Sequence, residues 1–149
     1  MTGEEGAALR ALARAHGGVV VTARVLADAG AGWTRRRLNR VFVKEGWRQL
    51  WGGVWVEPGR AVDAGVLVWA NQLSHPQLVV SHWSAAVAHG IEVLRERVDL
   101  IGPPGSRANV RGGRLHRLAL GPGDVVTRGG LPVTAAVRTV AVLLRAGPR

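Results

Sequence analysis

The stretch Thr34-Arg35-Arg36-Arg37-Leu38-Asn39-Arg40-Val41-Phe42-Val43-Lys44 constrains the chain most. Thr34 suits a helix N-cap, because its hydroxyl accepts a hydrogen bond from one of the first unpaired backbone N–H groups. At about 100° per residue, Leu38, Val41 and Phe42 fall on one side and Arg36, Arg37, Arg40 and Lys44 on the other. The spacing therefore predicts a helix with one core face and one cationic face.

The flanking sequence gives that helix a setting. Ala7 to His16 holds Leu9, Leu12 and Ala13 among good helix formers, and Gly17-Gly18 stops it. Val19-Val20-Val21 reads as a short strand or an extended connector. Thr22 offers a second N-cap, followed by Val25, Leu26 and Ala29 at helical spacing, until Gly30 and Gly32 end the element. Helix, glycine-containing turn and cationic helix form a helix-turn-helix pattern. Trp47 to Val56 then supplies two β-prone runs around Gly52-Gly53, suited to a tight hairpin turn that needs positive φ. A hairpin after the helices makes the pattern winged.

Charge narrows the partners. Basic residues outnumber acidic ones by 20 to 10, a formal charge of +10, which favours polyanions and nucleic acid first among them. Lys44 is the one lysine; every other basic side chain is arginine, suited to bidentate contacts with phosphate and guanine edges. GC-rich codon usage accounts for much of the choice of arginine, but not for the net excess. A hydrophobic content of 47% with 20% charged residues fits a globular protein. With no cysteine, disulfides, thiolate metal sites and thiol nucleophiles are excluded. No signal-peptide pattern opens the chain and no apolar run spans a bilayer, so a cytoplasmic protein with no membrane partner is expected.

Beyond Gly59 the texture is α/β. Ala61 to Leu73 reads as a helix and Gln77 to Val80 as a buried strand; Ser81 caps a helix that runs to His89, with Gly90 as its stop. Val98 to Ile101, Leu115 to Leu120 and Val125 to Thr127 are strand candidates. Thr134 or Ala135 begins a final helix reaching Arg145, with Val137, Val140, Ala141 and Leu144 on its apolar side. The expected organisation is an α+β chain: a winged helix-turn-helix domain over 1–60, then a small mixed α/β domain over 61–149.

Enzyme chemistry finds no anchor. Gly102-Pro103-Pro104-Gly105-Ser106 lacks the Gly-Lys-Ser/Thr end of a phosphate-binding loop. Ser81, His82 and Asp99 supply the residue types of a hydrolytic triad, but without the nucleophile elbow. His82 and His89 are seven apart rather than four, with no supporting carboxylate, and read as packed histidines. Arg111-Gly112-Gly113 and Arg128-Gly129-Gly130 read as turns, and no closely spaced acidic pair is placed to hold Mg²⁺. No catalytic residue, cofactor or metal is expected.

Leu12-Ala13-Arg14-Ala15-His16-Gly17-Gly18-Val19-Val20, the Thr34–Leu38 segment and Trp47 to Trp55 together resemble the winged-helix domain of AbiEi-type antitoxins. Ser81 to Gly90 and Gly130 to Thr139 resemble that family's downstream segments. The chain carries Trp55 where the family often has Tyr, and Val142 where an Asp is usual. The resemblance implies a transcriptional repressor of its own operon, binding inverted repeats as a homodimer and countering a nucleotidyltransferase-like toxin in a type IV toxin–antitoxin or abortive-infection system. Some similar proteins carry an endonuclease-like C-terminal domain; the sequence stops soon after Thr139, so none is expected.

The expected ligand is thus double-stranded DNA. Arg36, Arg37 and Arg40, with Asn39 behind them, are the candidates for base edges, and Thr34, Arg35, Lys44 and Arg48 for phosphates. Arg107, Arg111, Arg114, Arg117 and Arg128 are candidates for secondary DNA contacts. The alternatives are an RNA-binding or protein-interaction module, or a non-catalytic remnant of an endonuclease-fused protein.

Overall fold

Helix α1, Thr2–Ala15, places Glu4 and Glu5 in its first turn and Arg14 in its last, so each charge opposes the helix dipole. The structure, a computed structural model, describes residues 2–146. Among the described residues the chain is mixed α and β with two sheets, and it divides into two compact units, Met1–Ser74 and His75–Arg149.

In the first unit, β1 (Val19–Val21) leads directly into α2 (Thr22–Ala27). A 3₁₀ turn, Ala29–Ala31, precedes α3 (Arg35–Glu45), followed by β2 (Arg48–Trp51), β3 (Val54–Val56) and α4 (Ala64–Ser74). The strands form an antiparallel sheet in the order β1-β3-β2, with Val20 and Gln49 both opposite Trp55. The hairpin expected around Gly52-Gly53 is present, and Gly53 takes the left-handed conformation (φ 74°) that its turn requires.

Two expectations change here. Thr22 does not cap α2: the cap position is Val21, and Thr22 is buried, its N–H donating to Gly53 O at 2.8 Å. The first unit also runs past residue 60. Val66, Ala70 and Leu73 of α4 share a core with Val19, Val21, Val54 and Val56, so this helix covers the sheet rather than beginning a new domain. Asp63 starts it, accepting from Val66 N at 2.9 Å.

The second unit contains β4 (Val79–Val80), α5 (His82–Ala88), β5 (Asp99–Gly102), β6 (Arg114–Arg117), β7 (Val125–Arg128), β8 (Leu131–Thr134) and α6 (Ala136–Ala146). Its sheet order is β6-β5-β4-β8-β7, with β5–β6 and β4–β8 parallel and the other pairs antiparallel. Buried Val80, Leu100, Ile101 and Val133 fill it from the strands, Leu78 from just before β4, and Ala85 and Ala86 from α5.

Three readings of this unit are corrected. Leu131–Thr134 is a strand, so the last helix starts at Ala136. β4 meets β8 through Val80 and Val133, so Pro132, which lacks an N–H, interrupts little of that ladder. Ser81 occupies the N-cap position of α5 but its hydroxyl makes no cap bond; it goes to the His82 ring instead. The expected apolar side of α6 lies outward, with Val137, Val140, Ala141 and Leu144 exposed and Thr139 and Val142 buried.

Candidate nucleic-acid interface

Helix α3 is fixed at both ends by local chemistry. Thr34, in extended conformation, accepts from Arg37 N at 3.2 Å through its hydroxyl and from Leu38 N at 2.9 Å through its carbonyl. Gly46 ends the helix in the left-handed region (φ 78°), returning its N–H to Phe42 and Val43. The sequence placed this element and its cap correctly.

Its inner face holds it by packing. Leu38, Val41 and Phe42 lie in a core with Leu9, Ala13, Val20, Val25, Trp47 and Trp55. The Phe42 ring stacks on Trp55 with centroids 4.7 Å apart and meets Trp47 tilted at 5.1 Å.

Two ion pairs to α1 set the rotation of α3. Arg10 reaches Glu45 at 2.8 Å, and Trp47 Nε1 donates to the same carboxylate oxygen at 3.2 Å. Near the other end, Arg37 donates through Nε to Glu5 Oε1 at 2.9 Å and through Nη2 to the same oxygen. That hydrogen bond with Arg37 holds the Glu5 carboxyl below its ordinary range. Arg37 Nη1 also donates to Gly32 O at 3.3 Å, and its guanidinium lies 4.8 Å from the centre of the Trp33 ring.

Arg37 therefore stands apart from the other residues expected to meet bases: its guanidinium is occupied within the fold. Arg35, Arg36, Asn39, Arg40 and Lys44 are exposed. Arg36, Asn39 and Arg40, at helical spacing, make one outward stripe that continues to Val43, 71% exposed. Val43, which the spacing assigned to neither face, belongs to this exposed stripe. Arg48 is exposed where β2 begins, opposite Val56.

The secondary arginines do not gather into one surface. Arg114 and Arg117 lie on β6 and Arg128 on β7, at opposite edges of the sheet. Arg117 Nε donates to Ser106 O at 2.9 Å, and Arg128 Nε to His89 Nδ1 at 3.3 Å. Arg107 and Arg111 are exposed in the connection between β5 and β6. His89, through Nε2, bonds Thr134 O at 2.7 Å, and so ties α5 to β8 rather than pairing with His82.

No protein-family model matches the chain, and no curated protein matches its sequence. Among the described residues, no helix is long and apolar enough to cross a membrane.

Proposed function

We propose that the first unit is a winged helix-turn-helix that binds double-stranded DNA in a sequence-specific way, with α3 as its recognition helix. The observation that carries the reading is the outward stripe of Arg36, Asn39 and Arg40 on a helix whose opposite face is locked into the core. A helix of this kind fits the major groove, where arginine meets guanine O6 and N7 and asparagine meets adenine. Val43 supplies apolar contact suited to a thymine methyl. Arg35, Lys44 and Arg48 serve as phosphate contacts, with Arg48 carried by the β2–β3 hairpin as the wing. Arg37, paired with Glu5, becomes a residue that sets the helix's orientation rather than one that reads bases.

On the AbiEi-type resemblance, the protein acts as a repressor of its own operon, bound to inverted repeats as a dimer and linked to a nucleotidyltransferase-like toxin. Competition between duplex DNA, single-stranded DNA and duplex RNA at physiological salt tests the ligand class. Preference for duplex DNA is expected, and preference for duplex RNA would overturn the reading. Selection of bound fragments from the native genome tests autoregulation, which requires enrichment upstream of the protein's own gene.

A further inference from the structure

The second unit contains a built site that DNA reading by α3 does not use. Parallel pairing sets Asp99 opposite Arg114 and Ile101 opposite His116, so Asp99 and His116 share a face as diagonal neighbours. His116 Nε2 and Asp99 Oδ1 are hydrogen-bonded at 2.9 Å. Asp99 is only 6% exposed; its N–H donates to Ser84 Oγ at 2.8 Å, and its second carboxyl oxygen is buried without a hydrogen-bond partner.

The His116 ring stacks on His82, with centroids 3.6 Å apart and planes 14° off parallel. His82 is buried and takes φ 50°, a left-handed conformation that side-chain-bearing residues seldom adopt, and its Nδ1 meets Ser81 Oγ at 2.9 Å. Burial and the neighbouring His116 lower its pKa to about 4, so this ring stays neutral near pH 7. A hydrogen-bonded Ser–His–Asp chain is not assembled, because Asp99 engages His116 while His82 engages Ser81.

These rings floor a cavity of about 350 Å³, within the roughly 300–1,000 Å³ typical of small-molecule sites. Trp83, Arg97, Arg114 and Arg145 also line it, the last from α6, and Asp99 is its one acidic residue. Among the described residues no carboxylate pairs with these three arginines, and no group of three or more side chains is arranged to hold a metal ion.

We propose that this cavity binds the phosphate group of a phosphomonoester, held by Arg97, Arg114 and Arg145 with the stacked histidines beneath it. Arginines that line one cavity from a strand, a loop and a helix suit a tetrahedral oxyanion, which each can meet with paired N–H donors. Trp83 offers a flat surface to the rest of the ligand. A concave site admits a terminal phosphate, whereas a duplex presents phosphodiesters flanked by sugar on both sides. Arg114 is thereby reassigned from DNA contact to ligand pocket.

Isothermal titration of the full chain with inorganic phosphate, adenosine 5′-monophosphate and a non-specific DNA duplex tests this. Saturable binding of phosphate or the nucleotide is expected, weakened about tenfold or more by Arg114→Gln and by Arg145→Gln, as loss of a charge-assisted bond requires. Both arginines are exposed, so the variants should melt as the parent does, and the His82 and His116 ring signals should shift in the NMR spectrum when the nucleotide is added. Absence of binding at millimolar concentrations, equal affinity in both variants, or a response to the duplex alone would overturn the proposal.

Discussion

Helices α3 and α6 are each 11 residues long and each shows apolar residues at helical spacing, yet they turn opposite faces outward. In α3 the apolar positions Leu38, Val41 and Phe42 are buried and the cations are outside. In α6 the regular series Val137, Val140, Ala141 and Leu144 is outside, while Thr139 and Val142 are buried. The difference lies in what each unit offers the helix. Two tryptophans flank Phe42 and reward burial of the apolar side. At the start of α6, by contrast, the Thr139 hydroxyl lies 3.0 Å from Thr134 O, 2.7 Å from Thr134 Oγ1 and 3.0 Å from Ala135 O. A polar residue satisfied this fully can be buried, and its position fixes the rotation of the helix. In a helix rich in Val, Leu and Ala, periodicity leaves more than one apolar stripe, and a hydrogen bond selects between them.

The largest test of this contrast is Phe42→Ala, expected to destabilise the first unit by about 3–5 kcal/mol through a cavity beneath the tryptophans. Denaturant unfolding followed by tryptophan fluorescence measures it, and a cost no larger than that of a surface change would undo the packing argument. Next comes pH. The folded-state pKa of His82 lies below the ordinary 6.5, at about 4, so protonation favours unfolding. Its contribution is complete above pH 6.5 and is lost progressively toward pH 4, on the order of 1–3 kcal/mol. Stability curves for the parent and His82→Asn should converge in slope at high pH and diverge over that window; parallel curves would remove the neutral, buried ring from the account.

Thr34→Ala should cost about 1 kcal/mol by removing the cap of α3, with helix loss visible by circular dichroism. The smallest effect belongs to α6: Val137→Ser and Leu144→Ser, at positions 83% and 77% exposed, should each change stability by no more than about 0.5 kcal/mol. A large loss in either would mean that the series faces inward as its spacing suggests.

What the sequence made legible was local. The span of α3, its threonine cap and the Gly-Gly hairpin turn each depend on residues close together in the chain, and each is where the pattern put it. Strand β8 was hidden because Pro132 argues against a strand unless the neighbouring ladder is known to be short. The place of α4 was hidden because its apolar residues carry no mark of which sheet they cover.

The residues proposed to bind DNA divide in the same way. Exposure of Arg36 and Arg40 follows from helical geometry, whereas the capture of Arg37 by Glu5 joins residues 32 positions apart and left no local sign. The cavity in the second unit was further from view. His116 comes beside Asp99 through the register of two parallel strands, and an intervening loop does not encode that register.

The central claim is that the outward face of α3 reads DNA, and the direct measurement is a titration of selected duplex at fixed salt with the parent, Arg36→Ala and Arg40→Ala. Each substitution should weaken binding by about 1–3 kcal/mol and relax preference at one base pair. Unchanged affinity and unchanged preference in both variants would contradict the account.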